Sequence, residues 1–396
     1  MTILKRPYLQ KIRTDNYLTI LKLLSSADTS SRLELASASG LSQMTVSRIT
    51  KKLLENRICF ETYQGDRQNR VGRKTVGLRI NPNGGHVLCV CLSAFSKIVA
   101  VVDLSNARLF ETEIPKDIIR HPDLLVNFVG DFVDDKLSNG YLNKRSFLGA
   151  AVVVAGSIDR PSGNIVHAPL LDWKDFPIKE AISRRLNCSV VVENIANALC
   201  QTCIQNDAQK DIHCENICLV HVAAGMGASV AVNGNLLRRQ SDENWIGKIP
   251  INLPISKTNQ SYSLSEICSG EAILKKIDGL SHEKGDFANN LIFALKLARD
   301  GDAVIRDLFF TAGKALGSAL FPITAAYVPD KIILAGPTGA SCFFAEGVKN
   351  GFSMNWVTEN SIQPEIITLD TKYIDAAQSL GVSSFFRDQI FCDKLI

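Results

Sequence analysis

Apolar residues in the first forty positions recur at helical spacing in two successive segments. The segment NYLTILKLLSS predicts a first helix, with Asp15 or Asn16 as its N-cap. The segment SRLELASASG predicts a short second helix, with Ser30 or Ser31 as its N-cap. Gly40 closes this segment and can adopt the positive φ that ends a helix and turns the chain sharply.

A third helical pattern follows at once in LSQMTVSRITKKLLENR, with Ser42 as its cap. Five of its apolar residues are available for a core: Met44, Val46, Ile49, Leu53 and Leu54. Two helices joined by a tight glycine turn are typical of a helix-turn-helix, whose second helix enters the DNA major groove. A helical hairpin used only for packing would show the same periodicity.

The polar side chains of the third helix differ in what they can recognise. Gln43, Thr45 and Arg48 are candidate base readers, because Arg pairs bidentately with guanine and Gln with adenine. Three others are candidates for phosphate contacts: Ser47, Lys51 and Lys52.

The next segment, ICFETYQGDRQNRVGRKTVGLRINP, has two stretches of alternating apolar residues around a tip rich in Gly and Arg. This pattern predicts a β-hairpin, which in a winged helix-turn-helix is the wing. Four basic residues in or near the tip are placed to follow phosphates or enter a narrow minor groove: Arg67, Arg70, Arg73 and Lys74. Solvated loop charges are the alternative interpretation.

From residue 85 onward, apolar runs such as HVLCVCLS, LGAAVVVAGSI, NICLVHVAAG and KIILAG alternate with longer helical stretches. This alternation predicts an α/β fold with buried strands. Two of the runs, beginning near Val87 and Ile217, each lead to a second strand, as expected of two similar stacked lobes. One large doubly wound sheet is the alternative.

Length and composition limit the kinds of protein that this chain can be. At 396 residues, of which 46% are hydrophobic, the chain has room for about two or three domains. Its first ten residues lack the apolar core of a signal peptide, and no stretch approaches the roughly 18 to 20 uninterrupted apolar residues of a membrane helix. We therefore expect a soluble, cytoplasmic protein without a membrane partner.

Charge is distributed unevenly along the chain. Residues 1–80 hold 15 Lys and Arg against 6 Asp and Glu, whereas the remainder holds 29 against 34. Concentrated positive charge favours phosphate contacts and counterion release, so this asymmetry is typical of a nucleic-acid-binding module. A merely solvated basic surface would have the same composition.

Eleven cysteines are scattered through apolar segments, which favours buried free thiols over disulfides. One cluster combines thiols with imidazoles, the ligands that zinc prefers: Cys200, Cys203, His213, Cys214, Cys218 and His221. Its spacing fits no zinc module. We expect ordinary core cysteines without metal or cofactor, and keep a zinc site as the less favoured alternative.

Over essentially its whole length the chain resembles the ROK family of repressors and sugar kinases, and in particular the repressor branch. The motifs that carry the resemblance occur in the family's order: LGAAVVVAGSID, APLLDWKDFPI, VVVENIANA, VHVAAGMGASVAVNGNLL, WIGKIPI, SLSEICSGEAI and VPDKIILAG. The resemblance implies a winged helix-turn-helix over residues 1–82. Two actin-like or hexokinase-like lobes with the ribonuclease H-like fold are expected over 83–198 and 199–374, with a C-terminal helix at about 375–396 returning to the first lobe.

The positions that carry kinase chemistry in this family are changed here. Family kinases hold phosphates in two loops and use a carboxylate to take the proton of the attacking hydroxyl. The first loop, Asp-x-Gly-Gly-Thr in the family, reads LSAFS over 92–96, where Phe95 would obstruct a nucleotide phosphate. The second, Gly-Thr-Gly-x-Gly-Gly-Gly, reads AAGMGAS over 223–229. The position of the catalytic base is Ile195, which accepts no proton.

The family's sugar and zinc ligands are also missing. Its Glu-Ile-Gly-His motif reads Trp245, Ile246, Gly247 and Lys248, and its cysteine-rich zinc loop is replaced by SKTNQSYSLSEI. We therefore expect no zinc of the family type, no phosphoryl transfer and no enzyme activity.

These observations predict a sequence-specific transcriptional regulator, in particular a repressor of carbohydrate uptake or catabolism genes. It would bind a double-stranded DNA operator as a homodimer or higher homo-oligomer. A sugar, sugar phosphate or sugar acid in the degenerate cleft would control it, with Asn194, Trp245 and Lys248 as lining candidates. Lys248 favours an anionic effector, and Trp245 could instead plug the cleft.

Two other functions fit the same sequence. One is a carbohydrate kinase that carries an accessory DNA-binding domain. The other is a regulator controlled by a protein partner rather than by a sugar.

Overall fold

A computed structural model describes most of the chain. The described residues are 5–63, 76–209, 216–238, 245–251, 262–280, 287–356, 363–370 and 372–387. Several residues singled out above lie outside these ranges: Arg67, Arg70, Arg73, Lys74, His213, Cys214 and the end of the expected C-terminal helix from 388 onward.

The N-terminal unit contains three helices and a small antiparallel sheet. Its elements are α1 (Lys5–Ser26), β1 (Ser30–Ser31), α2 (Arg32–Ser39), α3 (Gln43–Glu55), β2 (Cys59–Tyr63) and β3 (Val76–Ile80). The strand order β1-β3-β2, with β2 and β3 antiparallel, confirms the predicted hairpin. The first helix begins at Lys5, so the N-cap predicted at Asp15 or Asn16 is wrong. Those positions continue the helix because no glycine or proline interrupts it between Tyr8 and Ser26.

Caps at both ends of the turn hold α2 and α3 in place. The Ser31 side chain accepts a hydrogen bond from Glu34 N at the start of α2, and Glu34 Oε2 accepts one from Ser31 N at 2.7 Å. Gly40 follows α2 with φ 68°, and Ser42 caps α3. The predicted caps of α2 and α3 and the glycine turn between these helices are confirmed.

The first lobe follows a 3₁₀ turn at Pro82–Gly84. Its elements are β4 (His86–Leu92), β5 (Lys97–Asp103), β6 (Arg108–Glu113), α4 (Pro122–Ser138), β7 (Phe147–Val154), β8 (Ser157–Asp159), β9 (Asn164–Ala168), β10 (Trp173–Phe176), α5 (Ile178–Leu186), β11 (Ser189–Asn194) and α6 (Ile195–Gln209). The main sheet has the order β11-β7-β4-β5-β6, and β8, β9 and β10 form a separate sheet.

The second lobe repeats this arrangement with more helices. Its elements are β12 (Ile217–Val222), β13 (Met226–Val232), β14 (Asn235–Leu236), a 3₁₀ turn (Ile246–Lys248), β15 (Pro250–Ile251), β16 (Tyr262–Ser263), α7 (Leu264–Cys268), α8 (Gly270–Leu274), α9 (Phe287–Asp300), α10 (Ala303–Tyr327), β17 (Lys331–Ala335), α11 (Gly336–Gly339), α12 (Cys342–Asn355) and β18 (Glu365–Leu369). The last described element, α13 (Tyr373–Arg387), follows it.

The two five-stranded sheets share one topology. In each, three antiparallel strands in sequence are followed by two parallel strands on the other side of the first strand. The described residues thus form two lobes and not one doubly wound sheet. Every residue of β4, β7 and β12 is buried, which explains their uninterrupted apolar sequences.

Two helices join these parts. α6 contacts strands of both sheets. Because α6 is one continuous helix, the boundary expected between the lobes at 198/199 falls inside it. α13 packs on β4, β7 and α6, and its other neighbours include α1 of the N-terminal unit. A Cβ atom added at Gly381 would lie 2.7 Å from Val87 Cγ1, so this glycine sets how closely α13 approaches the sheet.

One described helix, α10, is long and apolar enough to cross a bilayer by length and composition alone; 44% of the relevant window is buried inside the fold. It packs on α12 through glycines spaced four apart in both helices: Gly313, Gly317, Gly347 and Gly351. A Cβ atom at Gly317 would lie 2.1 Å from Val348 O, so the two backbones are in direct contact. We therefore assign α10 to the core of the second lobe.

This contact predicts a large effect of a small side chain. Gly317→Val should lower the free energy of unfolding by about 1–3 kcal/mol, because the added atoms force α10 away from α12. Thr311→Val, an exposed position on the same helix, should change it by less than about 0.5 kcal/mol. Urea denaturation of both variants measures the difference, and equal midpoints would contradict the packing described here.

Candidate functional site

The third helix presents a polar face to solvent. Val46, Ile49 and Leu53 are buried, as predicted, and Leu54 is partly buried. Four of the predicted DNA-contacting residues are exposed: Gln43, Ser47, Arg48 and Lys51. The Thr45 hydroxyl lies 2.9 Å from that of Ser42 and is therefore part of the cap as well as of this face.

The placement of Met44 in the core is wrong, because its side chain is 83% exposed. Met44 precedes Arg48 by four residues and Lys51 by seven, a spacing that puts all three on one face of a helix. This spacing was visible in the sequence. Met44 therefore adds an exposed apolar side chain to the same face of α3.

The basic residues of α3 are not equivalent. No carboxylate among the described residues pairs with Arg48, whereas Lys51 Nζ lies 3.9 Å from Glu55 Oε1. Lys52 is half-buried, with its ammonium 5.8 Å from the centre of the Tyr17 ring on α1. Arg48 is thus the most available cation of the face, while Lys52 also ties α3 to α1.

Arg32 fixes the orientation of α3 relative to the hairpin. Its Nε donates to Thr50 Oγ1 at 3.2 Å, and its Nη2 lies 2.8 Å from Glu61 Oε1 on β2. One guanidinium thus links α2, α3 and the first strand of the hairpin, which keeps the exposed face of α3 in a fixed position.

A cavity of about 740 Å³ lies between the two lobes. Its walls are the ends of β4, β7 and β11, the β12–β13 turn, and the 3₁₀ turn of the second lobe. The structure brings Asn194, Ile195, Trp245 and Lys248 into this one cleft. Trp245 is partly buried against the core of the second lobe, so it lines the wall without filling the cavity.

The segment in place of the first phosphate loop is closed on itself. Ser93 Oγ accepts hydrogen bonds from Phe95 N at 3.1 Å and Ser96 N at 2.8 Å, which uses backbone donors that a phosphate would need. The Phe95 ring packs edge-on against Phe287 of the second lobe, with 6.2 Å between ring centres. Phe95 therefore bridges the lobes by an apolar contact.

The β12–β13 turn, in place of the second phosphate loop, is held by the start of α8. Ala223 O accepts from Gly270 N at 2.8 Å, and Ala224 O accepts from Glu271 N at 3.0 Å. The Met226 side chain is buried under the turn. Two backbone hydrogen bonds from α8 thus hold the turn, and an apolar side chain lies next to it.

The residues retained around the lost base have structural roles. Ile195 is 2% exposed and belongs to the apolar core. Asn194 Oδ1 accepts from Asn197 N at 2.9 Å, so it caps α6, and the buried Glu193 accepts from Asn197 Nδ2 at 3.0 Å. Because these bonds build the strand-to-helix junction, this part of the motif is explained without catalysis.

A buried pair spans the two halves of the cleft; from the sequence, His221 was considered only as a candidate zinc ligand and Tyr373 was not considered. His221 on β12 and Tyr373 at the start of α13 both line the cavity, with 2.7 Å between His221 Nε2 and the Tyr373 hydroxyl. Burial lowers the pKa of His221 to about 4 and raises the pKa of Tyr373 above its usual range. The pair is therefore neutral at physiological pH and links the second lobe directly to α13.

The expected free thiols are confirmed for nine described cysteines, eight of them buried. Burial raises the pKa of Cys218 to about 12. In the described part of the chain, no three His, Cys, Asp or Glu side chains are grouped so that they could hold a metal ion.

Comparison with known proteins identifies the family. The ROK family model matches residues 92–389, well over half of the chain. The chain therefore belongs to the ROK family, as the motifs predicted. The DNA-binding transcriptional dual regulator NagC of Escherichia coli K12 is 24% identical over 338 residues, covering 81% of this chain and 80% of NagC. The xylose repressor of Bacillus subtilis is 27% identical over 244 residues, 60% of each chain.

Solved structures show the same architecture. A ROK family transcriptional regulator, a homologue of the E. coli Mlc protein, superposes with a TM-score of 0.75 at 19% identity, covering 97% of this chain and 99% of that one. A ROK glucokinase from Streptomyces griseus in complex with glucose and AMPPNP gives 0.55 at 17% identity, covering 75% of this chain and 98% of the glucokinase. The predicted α/β fold, a winged helix-turn-helix followed by two kinase-like lobes, is confirmed.

The neutral state of His221 predicts a pH dependence of stability. Its pKa rises from about 4 in the folded protein to roughly 6.5 on unfolding. Its contribution is therefore complete above pH 6.5 and is lost as the pH falls towards 4, by about 2 kcal/mol at pH 5.

The test compares urea unfolding of the wild type and His221→Gln at pH 7 and pH 5. Gln keeps a hydrogen-bond partner for Tyr373 but does not titrate. The wild type should lose about 2 kcal/mol more than the variant between the two pH values. His86, whose pKa is also lowered by burial, contributes equally to both proteins. Parallel losses would contradict a neutral, buried His221.

Proposed function

We propose that this protein is a cytoplasmic, sequence-specific transcriptional regulator that represses genes of carbohydrate uptake or catabolism. The observation that carries the proposal is the exposed face of α3, which is capped by Ser42 and oriented by Arg32. The relatives reported above are named as a transcriptional regulator and a repressor, and the N-terminal unit precedes the matched ROK segment.

The proposal includes binding as a homodimer to a palindromic double-stranded operator. A single recognition helix reads few base pairs, so two copies related by twofold symmetry supply the missing specificity. Gln43, Thr45 and Arg48 are the proposed base readers, and Ser47, Lys51 and Lys52 the proposed phosphate contacts. Arg67, Arg70, Arg73 and Lys74, which lie outside the described residues, are proposed as further DNA contacts.

Two substitutions on α3 should have different effects. Operators are first selected from a random duplex library with the full-length protein. Arg48→Ala should then weaken binding to the selected operator by about 1–3 kcal/mol and relax preference at one base pair, because it removes a base contact. Lys51→Ala should weaken binding to all sequences alike and reduce its salt dependence.

Fluorescence anisotropy at several salt concentrations measures both effects. Lys349→Ala, an exposed position on α12, is the matched control and should leave affinity unchanged. Failure to select any sequence, or an Arg48→Ala variant with wild-type affinity and preference, would refute the proposed DNA-binding surface.

We further propose that the cleft binds a sugar, sugar phosphate or sugar acid without phosphorylating it. Asn194, Trp245 and Lys248 line one cavity, where an aromatic face, an amide and an ammonium suit a carbohydrate with an anionic group. The closed loop at Phe95 and the buried Ile195 argue against nucleotide binding and proton abstraction.

A thermal-shift panel of sugars, sugar phosphates and sugar acids tests the effector site. At least one compound should raise the melting temperature, and Trp245→Ala should abolish the shift because it removes the stacking surface. Tyr141→Ala, an exposed aromatic outside the cleft, should retain the shift. A silent panel would instead favour control by a protein partner. Formation of ADP from ATP and a sugar, by an activity that stays with the protein through purification, would establish a kinase.

A further inference from the structure

A second cavity, of about 520 Å³, lies where the N-terminal unit meets both lobes. We call it the junction pocket and define it by six lining residues: Lys22, Arg160, Lys179, Glu193, Arg238 and Ser384. Lys22 comes from α1, Arg160 from the turn after β8, and Ser384 from α13. The pocket is thus built by parts of the chain that are far apart in sequence.

The charge of the junction pocket is unbalanced. Among the lining residues that the structure describes, four side chains are cationic and only that of Glu193 is acidic. Arg160 and Arg238 each lie 3.8 Å from Glu193 Oε2, a carboxylate that is 3% exposed. Neither Lys22 nor Lys179 makes an ion pair with any described residue. A concave surface with such an excess of positive charge attracts anions strongly.

Several contacts hold the cations in place before any ligand binds. Arg238 Nη2 donates to Gln201 Oε1 on α6 at 3.1 Å, which orients its guanidinium. Gly163, in the turn that carries Arg160, has φ 71°, and a Cβ atom there would lie 2.6 Å from Lys179 Cδ. This turn therefore packs on the Lys179 stem, which keeps Arg160 and Lys179 near each other.

Ser384 supplies an independent sign of a ligand. Its side chain is 1% exposed, lines the pocket, and its hydroxyl has no hydrogen-bond partner among the described residues. A buried hydroxyl without a partner costs free energy that a bound oxygen atom would offset.

We propose that the junction pocket binds a small anion that carries phosphate groups, with Arg160, Lys179, Arg238 and Lys22 as its cationic ligands and Ser384 as a hydrogen-bond donor. Its volume suits a small metabolite, and its polar lining differs from that of a sugar-stacking site. Such an anion bridges α1 of the N-terminal unit to both lobes. This site goes beyond the proposed effector cleft: Glu193 lines only the junction pocket, Asn194 lines only the cleft, and Arg238 lines both.

Inorganic pyrophosphate is the probe. It is titrated calorimetrically into the full-length protein at constant ionic strength, with sodium chloride as the blank and without DNA. One pyrophosphate should bind per chain, and Lys179→Gln should weaken its Kd by about tenfold or more, because one charge-assisted contact is lost. Ser384→Ala should weaken binding less, and Lys349→Gln, on the exposed face of α12, should have no effect.

Lys179 is the decisive position because it forms no ion pair with a described residue, so its replacement leaves no described carboxylate without its partner. Absence of binding by the wild type, or equal affinities of the wild type and Lys179→Gln, would overturn the proposal. Displacement of pyrophosphate by random duplex DNA, together with weaker DNA binding by Lys179→Gln, would also overturn it and assign these cations to DNA. The pyrophosphate titration uses no operator DNA. A negative result there would therefore leave the proposed repressor function untouched.

Discussion

Helix α13 is covered on one side by the first sheet and on another by α1, and its packing joins the N-terminal unit to the lobes. Gly381 permits its close approach to Val87. Ile374, Ala377 and Phe385 are fully buried in the same apolar cluster as Leu21 of α1 and Leu219 of the second sheet. Because this cluster is continuous, a movement of α13 changes contacts in all three parts of the molecule.

Polar contacts make the position of α13 specific. Arg108 on β6 lies 2.7 Å from Asp375 Oδ1 and donates from Nη2 to Gln378 Oε1 at 2.7 Å. At the first turn of α13, Tyr373 contacts His221 of the second lobe. The start of this helix thus lines the cleft and its far half lines the junction pocket. One helix therefore borders both cavities and contacts α1 of the N-terminal unit.

In the cleft, the residues at the positions of the family's phosphate loops and catalytic base make contacts within the protein. Ser93 Oγ accepts hydrogen bonds from two backbone N–H groups of its own loop, and the Ala223 carbonyl accepts one from Gly270 N. Phe95, at a glycine position of the family's first phosphate loop, packs against the second lobe, and Ile195, at the position of the base, lies in the apolar core. Asn194 caps α6, the helix in contact with both sheets, and Glu193 accepts a hydrogen bond from Asn197 of that helix.

Local patterns in the sequence determined the caps at Ser31 and Ser42, the buried strands, the repeated lobe and the family, because these features depend on residues near one another in the chain. The exposure of Met44 on the outer face of α3 was indicated by its helical spacing to Arg48, but the prediction assigned it to the core and the tertiary structure corrected this. The tertiary structure also paired His221 with Tyr373 and assembled the junction pocket from Lys22, Arg160 and Ser384. These groupings join residues more than a hundred positions apart, and only the packing of α13 against α1 and the sheets brings them within reach of one another.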